Sequence, residues 1–104
     1  MRITNLIVDD HDLYEEWLGQ LSKQAIAEVL KYVDRLEQGN SGKVKSLGSG
    51  VYELRIPRPT KLRIYFGYEN AEEILLICGG GEKTQDKDIK EAKKIWRSYV
   101  SSRK

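Results

Sequence analysis

Residues 51–68 read VYELRIPRPTKLRIYFGY, and their alternation decides the fold. Successive side chains of a strand point to opposite faces. Tyr52, Leu54 and Ile56 therefore share one face, with Glu53 and Arg55 on the other. Past "PRPT", Leu62, Ile64 and Phe66 go together and leave Lys61, Arg63 and Tyr65 opposite them. Proline cannot donate to a central ladder, so "PRPT" connects two strands rather than continuing one. Pairing Ile56 with Leu62 sets Arg55 against Arg63 and Glu53 against Tyr65. Upstream, Gly48-Ser49-Gly50 is a turn. Pairing Leu47 with Val51 across it sets Lys43 against Arg55 and Lys45 against Glu53. The polar set then lies on the face away from the apolar stripe, and a slip of one residue would undo the arrangement.

Like charges directly opposed on a sheet repel by some tenths of a kcal/mol. Lys43, Arg55 and Arg63 in one row carry that cost unless an anion offsets it. Two readings stand: a solvated charged face, common in antiparallel sheets, or a phosphate-binding face. Glu53 is either a base beside Arg55 or a cross-strand partner of Lys45. Tyr65 either stacks on a nucleobase or packs at the sheet rim. The charge distribution points to a polyanion. Residues 1–39 hold four basic and eight acidic residues; residues 40–68 hold six basic residues and only Glu53. A basic middle in a chain of net charge +2 suits nucleic acid.

Outward from the meander, "RITNLIV" reads as a first strand. Leu13, Trp17, Leu18 and Leu21 have helical spacing, with Asp12 as N-cap and Glu15 as its capping-box partner. Ser22 caps a second helix, whose stripe is Ala25, Ile26, Val29, Leu30, Val33 and Leu36. Gly39 and Asn40 stop it. Downstream, "LLICGGGEKTQ" (75–85) has the outline of a nucleotide loop: apolar strand, glycines, Lys-Thr, then a helix. The phosphate-loop motif, however, needs glycine immediately before the lysine, where Glu82 stands, and a parallel βαβ setting. The expectation is instead a central strand covered on both faces, glycines that turn the chain out of it, and a helix from Thr84 with the stripe Ile89, Ala92, Trp96, Tyr99 and Val100.

The 104 residues, 39% apolar and 33% charged, suit one soluble domain spanning 1–104. No apolar run approaches the ~20 residues of a membrane span, and the N-terminus does not read as a signal peptide. The single cysteine, Cys78, excludes an intrachain disulfide and a cysteine-rich zinc site. The expected compartment is reducing, hence cytoplasmic. No His/Cys/carboxylate cluster has ligand spacing, so no metal or cofactor is expected. His11, in the acidic N-terminal segment, reads as a surface residue near a helix start.

"GVYELRI" (50–56), "LRIYF" (62–66), "LLICGGGEKTQDKDIKEAKKIW" (75–96) and the helical pair ending "LEQGN" (36–40) together resemble the RelE/ParE superfamily of toxin–antitoxin toxins, closest to its HigB-like addiction-module killer branch. The resemblance covers nearly the whole chain. It implies an α+β, RelE-like fold: an N-terminal strand and helical hairpin packed on a mainly antiparallel four- to five-stranded sheet, with a C-terminal helix. It also implies a ribosome-dependent mRNA endonuclease in which the RNA 2′-OH attacks the adjacent phosphate without a metal. Lys45, Arg55, Arg63 and Lys83 are then the catalytic candidates, Lys43, Lys61 and Tyr65 the RNA or phosphate contacts, and Glu53 a candidate base. Some relatives carry a tyrosine early in the last helix, where this chain has Asp88-Ile89. The implied partners are a small helix-turn-helix antitoxin, mRNA and the ribosome. The same fold also serves gyrase-poisoning toxins of the ParE type and inactive members that only bind an antitoxin. Codon preference, oligomeric state and the identity of the base are not legible.

Overall fold

The structure, a computed structural model, describes residues 1–40 and 42–103. The chain runs β1 (Arg2–Asn5), β2 (Ile7–Val8), β3 (His11–Asp12), α1 (Leu13–Leu18), α2 (Lys23–Glu37), β4 (Val44–Gly48), β5 (Val51–Ile56), β6 (Leu62–Asn70), β7 (Glu73–Gly81) and α3 (Gln85–Ser102). Five strands form a mixed sheet in the order β1-β7-β6-β5-β4, in which only the β1–β7 pair is parallel. The expected α+β fold, with its largely antiparallel sheet and C-terminal helix, is the observed one. "RITNLIV" is not one strand, though. It breaks after Asn5, and β2 pairs with β3 in a separate ribbon.

The register derived from alternation holds through the β5–β6 hairpin: Ile56 faces Leu62, Arg55 faces Arg63, and Glu53 faces Tyr65. Across the glycine turn, Lys45 faces Glu53, and the Arg55 N–H donates to the Lys43 carbonyl at 3.1 Å. The pairing at the turn itself is Gly48 with Val51, because the ladder shifts between Ser46 and Gly48. Gly48, Ser49 and Gly50 have φ of 84°, 57° and 80°, a left-handed run that glycine at both ends makes accessible.

Local chemistry sets the helix ends. The Asp12 carboxylate accepts from the Glu15 N–H, and the Ser22 hydroxyl accepts from the Ala25 N–H at 3.1 Å. Glu15 does not complete a capping box, since its side chain turns to Asn5. Helix α2 ends in a Schellman pair, the Gly39 N–H to the Leu36 carbonyl and the Asn40 N–H to the Arg35 carbonyl. Ser22→Ala should lower unfolding stability by about 1 kcal/mol, read by denaturant titration, because the Ala25 N–H loses its acceptor.

Both faces of the sheet are covered. On one, Tyr14, Leu18, Ala25, Val29 and Leu36 of the first two helices meet Leu54, Ile56, Leu62, Ile64, Phe66, Ile74 and Leu76. On the other, Ala92, Ile95 and Trp96 of α3 meet Val51, Tyr65, Leu75 and Ile77. The face read as either solvated or phosphate-binding is therefore largely roofed by α3. The far end of that roof is pinned by Glu69, which accepts from the Tyr99 hydroxyl and from Arg103 Nη1 at 2.8 Å.

The three glycines of "LLICGGG" are not an exit turn. All belong to β7 and pair with β6, Gly79 with Ile64, Gly80 with Arg63 and Gly81 with Leu62. They are slots. A Cβ on Gly79 would lie 2.3 Å from the Trp17 ring, and one on Gly80 would lie 1.9 Å from the Asp88 carboxylate. Missing side chains let α1 close on one face and α3 on the other. The chain turns only afterwards, at Glu82–Thr84. There the Thr84 hydroxyl donates to Asp88 at 2.6 Å instead of capping a backbone N–H.

Candidate functional site

At the end of the sheet where β5 finishes and β6 begins, Lys43, Arg55, Lys61 and Arg63 line a cleft of about 240 Å³, floored by Ile56, Pro57 and Leu62. Strand pairing builds it. Arg55 and Arg63 are directly opposed, and the residue before β4 is held to Arg55 by a backbone hydrogen bond. Lys43, Arg55 and Lys61 are exposed, whereas Arg63 is only 6% exposed. Among the described residues, no carboxylate lines the cleft. Two of its cations have charge partners outside the lining: Arg63 reaches the buried Glu53, and Lys61 reaches Glu82 at 3.8 Å, an exposed pair of small energetic weight.

Arg63 is held from behind. Its Nε lies 3.6 Å from Glu53 Oε2, in a pair almost completely withdrawn from water. Glu53 Oε2 in turn accepts from Gln85 Nε2 at 3.3 Å, so the first residue of α3 steadies the carboxylate that faces the arginine. Arg63 Nε and Nη1 are buried without a hydrogen-bond partner among the described residues. A buried donor left unpaired costs about 1–3 kcal/mol. The guanidinium thus keeps donor capacity that the fold does not consume.

The remaining sequence candidates fall elsewhere. Lys83 lines an adjoining depression with Thr60, Lys61, Leu62, Gly81, Glu82 and Thr84, so it neighbours the cleft across Lys61 without lining it. Lys45 is exposed on β4, an edge strand, outside the residues that line the cleft. Charge on an edge also discourages strand addition. Tyr65 is completely buried under α3, which rules out the base-stacking role. Burial, then Glu53 and Asp88, push its hydroxyl well above the usual tyrosine range. Glu53, 2% exposed, pairs with Arg63 rather than Lys45 and is not presented to a substrate as a base. His11 is exposed and pairs with Glu16 at 2.9 Å. Gln85 escaped the sequence reading, since nothing in its local pattern distinguishes it from any polar residue opening a helix. Among the described residues, no group of three or more His, Cys, Asp or Glu is placed to hold a metal ion.

Two protonated groups beneath the sheet make alkaline stability a test of this packing. Tyr14 is pushed up to about 12 by burial, then by Glu15 and Asp12. The unfolded chain releases that proton near pH 10, while the folded chain keeps it, so the contribution is complete below about pH 10 and lost as pH rises toward 12. Cys78 is also pushed up to about 12, by burial first and then Asp88 and Glu91, and its window opens near pH 9. The unfolding midpoint should fall steeply above about pH 9. Tyr14→Phe should flatten the upper part of that fall, and a slope unchanged in the variant would contradict the assignment.

Fold and cleft together define a small α+β domain with a cationic pocket at one end of its sheet. Residues 16–97 match the family described as "Phage derived protein Gp49-like (DUF891)", and the chain belongs to that family, which is associated with addiction-module toxins. An uncharacterized protein of Haemophilus influenzae is 41% identical over 81 residues, covering 77% of this chain and 82% of the relative. Among the described residues, no helix is long and apolar enough to cross a membrane.

Proposed function

We propose that the chain is the toxin of a type II toxin–antitoxin system and cleaves mRNA on the ribosome, with the scissile phosphate seated in the Lys43/Arg55/Lys61/Arg63 cleft. The observation that carries this reading is the buried Arg63 guanidinium, whose Nε faces Glu53 and whose Nη1 has no hydrogen-bond partner among the described residues, beside three exposed cations in a cleft that no described carboxylate lines. Attack of a 2′-OH on the adjacent phosphodiester forms the O2′–P bond and breaks the P–O5′ bond, giving a 2′,3′-cyclic phosphate and a free 5′-OH with the proton passing by way of water, and it goes through a phosphorus centre of increased negative charge. Preorganised cations stabilise that charge most strongly where water is partly excluded. The cleft supplies charge but no side chain suited to proton transfer near pH 7. Orientation of the 2′-OH must then come largely from whatever holds the RNA, which is the reason a ribosome-bound substrate suits this site. A small antitoxin encoded beside the toxin gene is the corresponding partner.

The test is controlled expression with genome-wide mapping of mRNA 5′ ends during growth arrest. New ends inside translated codons are the expected result. Arrest with covalent gyrase–DNA complexes and intact mRNA would replace this reading with gyrase poisoning. Intact growth with antitoxin binding would replace it with a regulatory role.

A further inference from the structure

The face of α3 opposite the core carries four exposed cations, Lys87, Lys90, Lys94 and Arg97. Spacings of three, four and three residues bring them within about 80° of the helix circumference and along about 15 Å of its axis. Asp86 and Glu91 flank this stripe rather than interrupt it. Among the described residues, no ion pair involves any of the four. A solvated helix face ordinarily mixes signs so that neighbours three and four apart attract. Like charges at those spacings instead destabilise by about 0.2–0.5 kcal/mol per pair. The stripe carries that repulsion. Asp86 and Glu91 offset it in part: they stand at helical spacing to Lys90, Lys87 and Lys94 but, among the described residues, in no ion pair with them.

Its position connects it to the cleft. Helix α3 begins at Gln85, which holds Glu53, which faces Arg63. Lys87 follows two residues later, and the stripe continues down the helix from there. We infer that Lys87, Lys90, Lys94 and Arg97 form a track for the phosphate backbone of RNA, continuous with the strand whose phosphate enters the cleft. Neighbouring cations on the helix are about 5–6 Å apart at Cβ, the scale of successive phosphates along a strand. Contacts of this kind position the nucleic acid without reading its bases. A membrane surface fits less well, because interfacial helices insert an apolar face, and here Ala92, Ile95 and Trp96 are buried against the sheet.

The inference rests on the reading of the cleft as an RNA site, and direct binding separates the two. The full chain and a variant carrying Lys87→Gln, Lys90→Gln, Lys94→Gln and Arg97→Gln are titrated against a short fluorescein-labelled 2′-O-methyl RNA, which cannot be cleaved, between about 50 and 200 mM salt. Circular dichroism confirms that both are folded. With about 0.7 counterions released per phosphate contact, the slope of log Kobs against log salt should fall by about three in the variant, with at least a ~10-fold loss of affinity. Unchanged slope and affinity would overturn the track while leaving the cleft intact. A wild-type chain that does not bind the RNA, or one from which polyglutamate displaces it as well as unlabelled RNA does, would overturn it as well. Loss of binding in the variant of a chain that cuts no mRNA in cells would uphold the track and reject the nuclease reading.

Discussion

Arg55→Ala should reduce mRNA cleavage by about a hundredfold or more while leaving the melting temperature nearly unchanged, and Arg63→Ala should abolish both cleavage and growth arrest. The magnitude follows from removing a preorganised charge from a partly dehydrated phosphate site, about 10²–10³ in rate per donor. The two variants differ in what else they disturb. Arg55 is exposed, so its truncation touches little beyond the cleft. Arg63 faces the buried Glu53, and removing one member of a buried pair costs about 3–5 kcal/mol because the survivor is left uncompensated. The double variant Arg63→Ala/Glu53→Gln removes that orphaned charge and should recover stability without recovering cleavage. Arg63→Lys should not restore the rate, since a lysine cannot reproduce the planar fork of donors. Initial cleavage rates on translating ribosomes, with melting temperatures by circular dichroism, measure each arm. Retained cleavage in both single variants would remove the cleft from the chemistry.

The second large effect is expected at Gly67. Its Cβ would lie 2.5 Å from two carbons of the Trp96 ring, and Trp96 is 5% exposed between α3 and the sheet. The indole cannot yield easily, because Gly50 approaches it on another side, with a virtual Cβ 2.7 Å from Nε1. Gly67→Ala must therefore displace the ring or lift α3 from the strand. Overpacking of this kind costs about 1–3 kcal/mol, and more where the neighbour is rigid. Such a loss is a large part of the total for a domain of this size. Urea denaturation, with the indole as fluorescent reporter, should show a lower midpoint than wild type. Trp96→Leu in the same background should recover part of the loss by opening the slot. An unaltered midpoint for Gly67→Ala would show that the indole is free to move.

Alternation made the β5–β6 register legible, because both strands carry unbroken apolar triplets and the connection between them is short. It showed which side chains share a face but not what covers that face. Val51, Tyr65 and Gly67 lie on the same side as Arg55 and Arg63, and the apolar stripe of α3 needed a surface. Joined, these facts would have placed the helix over the charged set and put Tyr65 and Glu53 inside. The glycines of β7 misled because glycine signals both a turn and a close approach, and only the tertiary neighbours Trp17 and Asp88 separate the two. The β2–β3 ribbon left almost no trace, since its turn is made by Asp9 and Asp10 at φ of 49° and 66° without any glycine. Within the site, Lys43, Arg55, Lys61 and Arg63 were readable as a cluster. The support behind Arg63 was not, since Gln85 comes from a helix that begins 22 residues further along the chain.

The parallel pairing of β1 with β7 has a consequence for the order of folding in the cell. Arg2 pairs with Glu73, and Asn5 with Leu76, across about two thirds of the 104 residues, whereas β4 through β7 are joined by hairpins. Closing so long a loop carries an entropy that short connections avoid, and contacts of high sequence separation form late. Strand β1 therefore waits for β7, whose partner residues are synthesised 71 positions later. During synthesis the nascent chain lacks a docked α3 until residues 85–102 are released, so the buried support of Arg63 through Gln85 is not yet in place. Under the proposed reading as a toxin, that order would leave the cleft without its support until α3 docks.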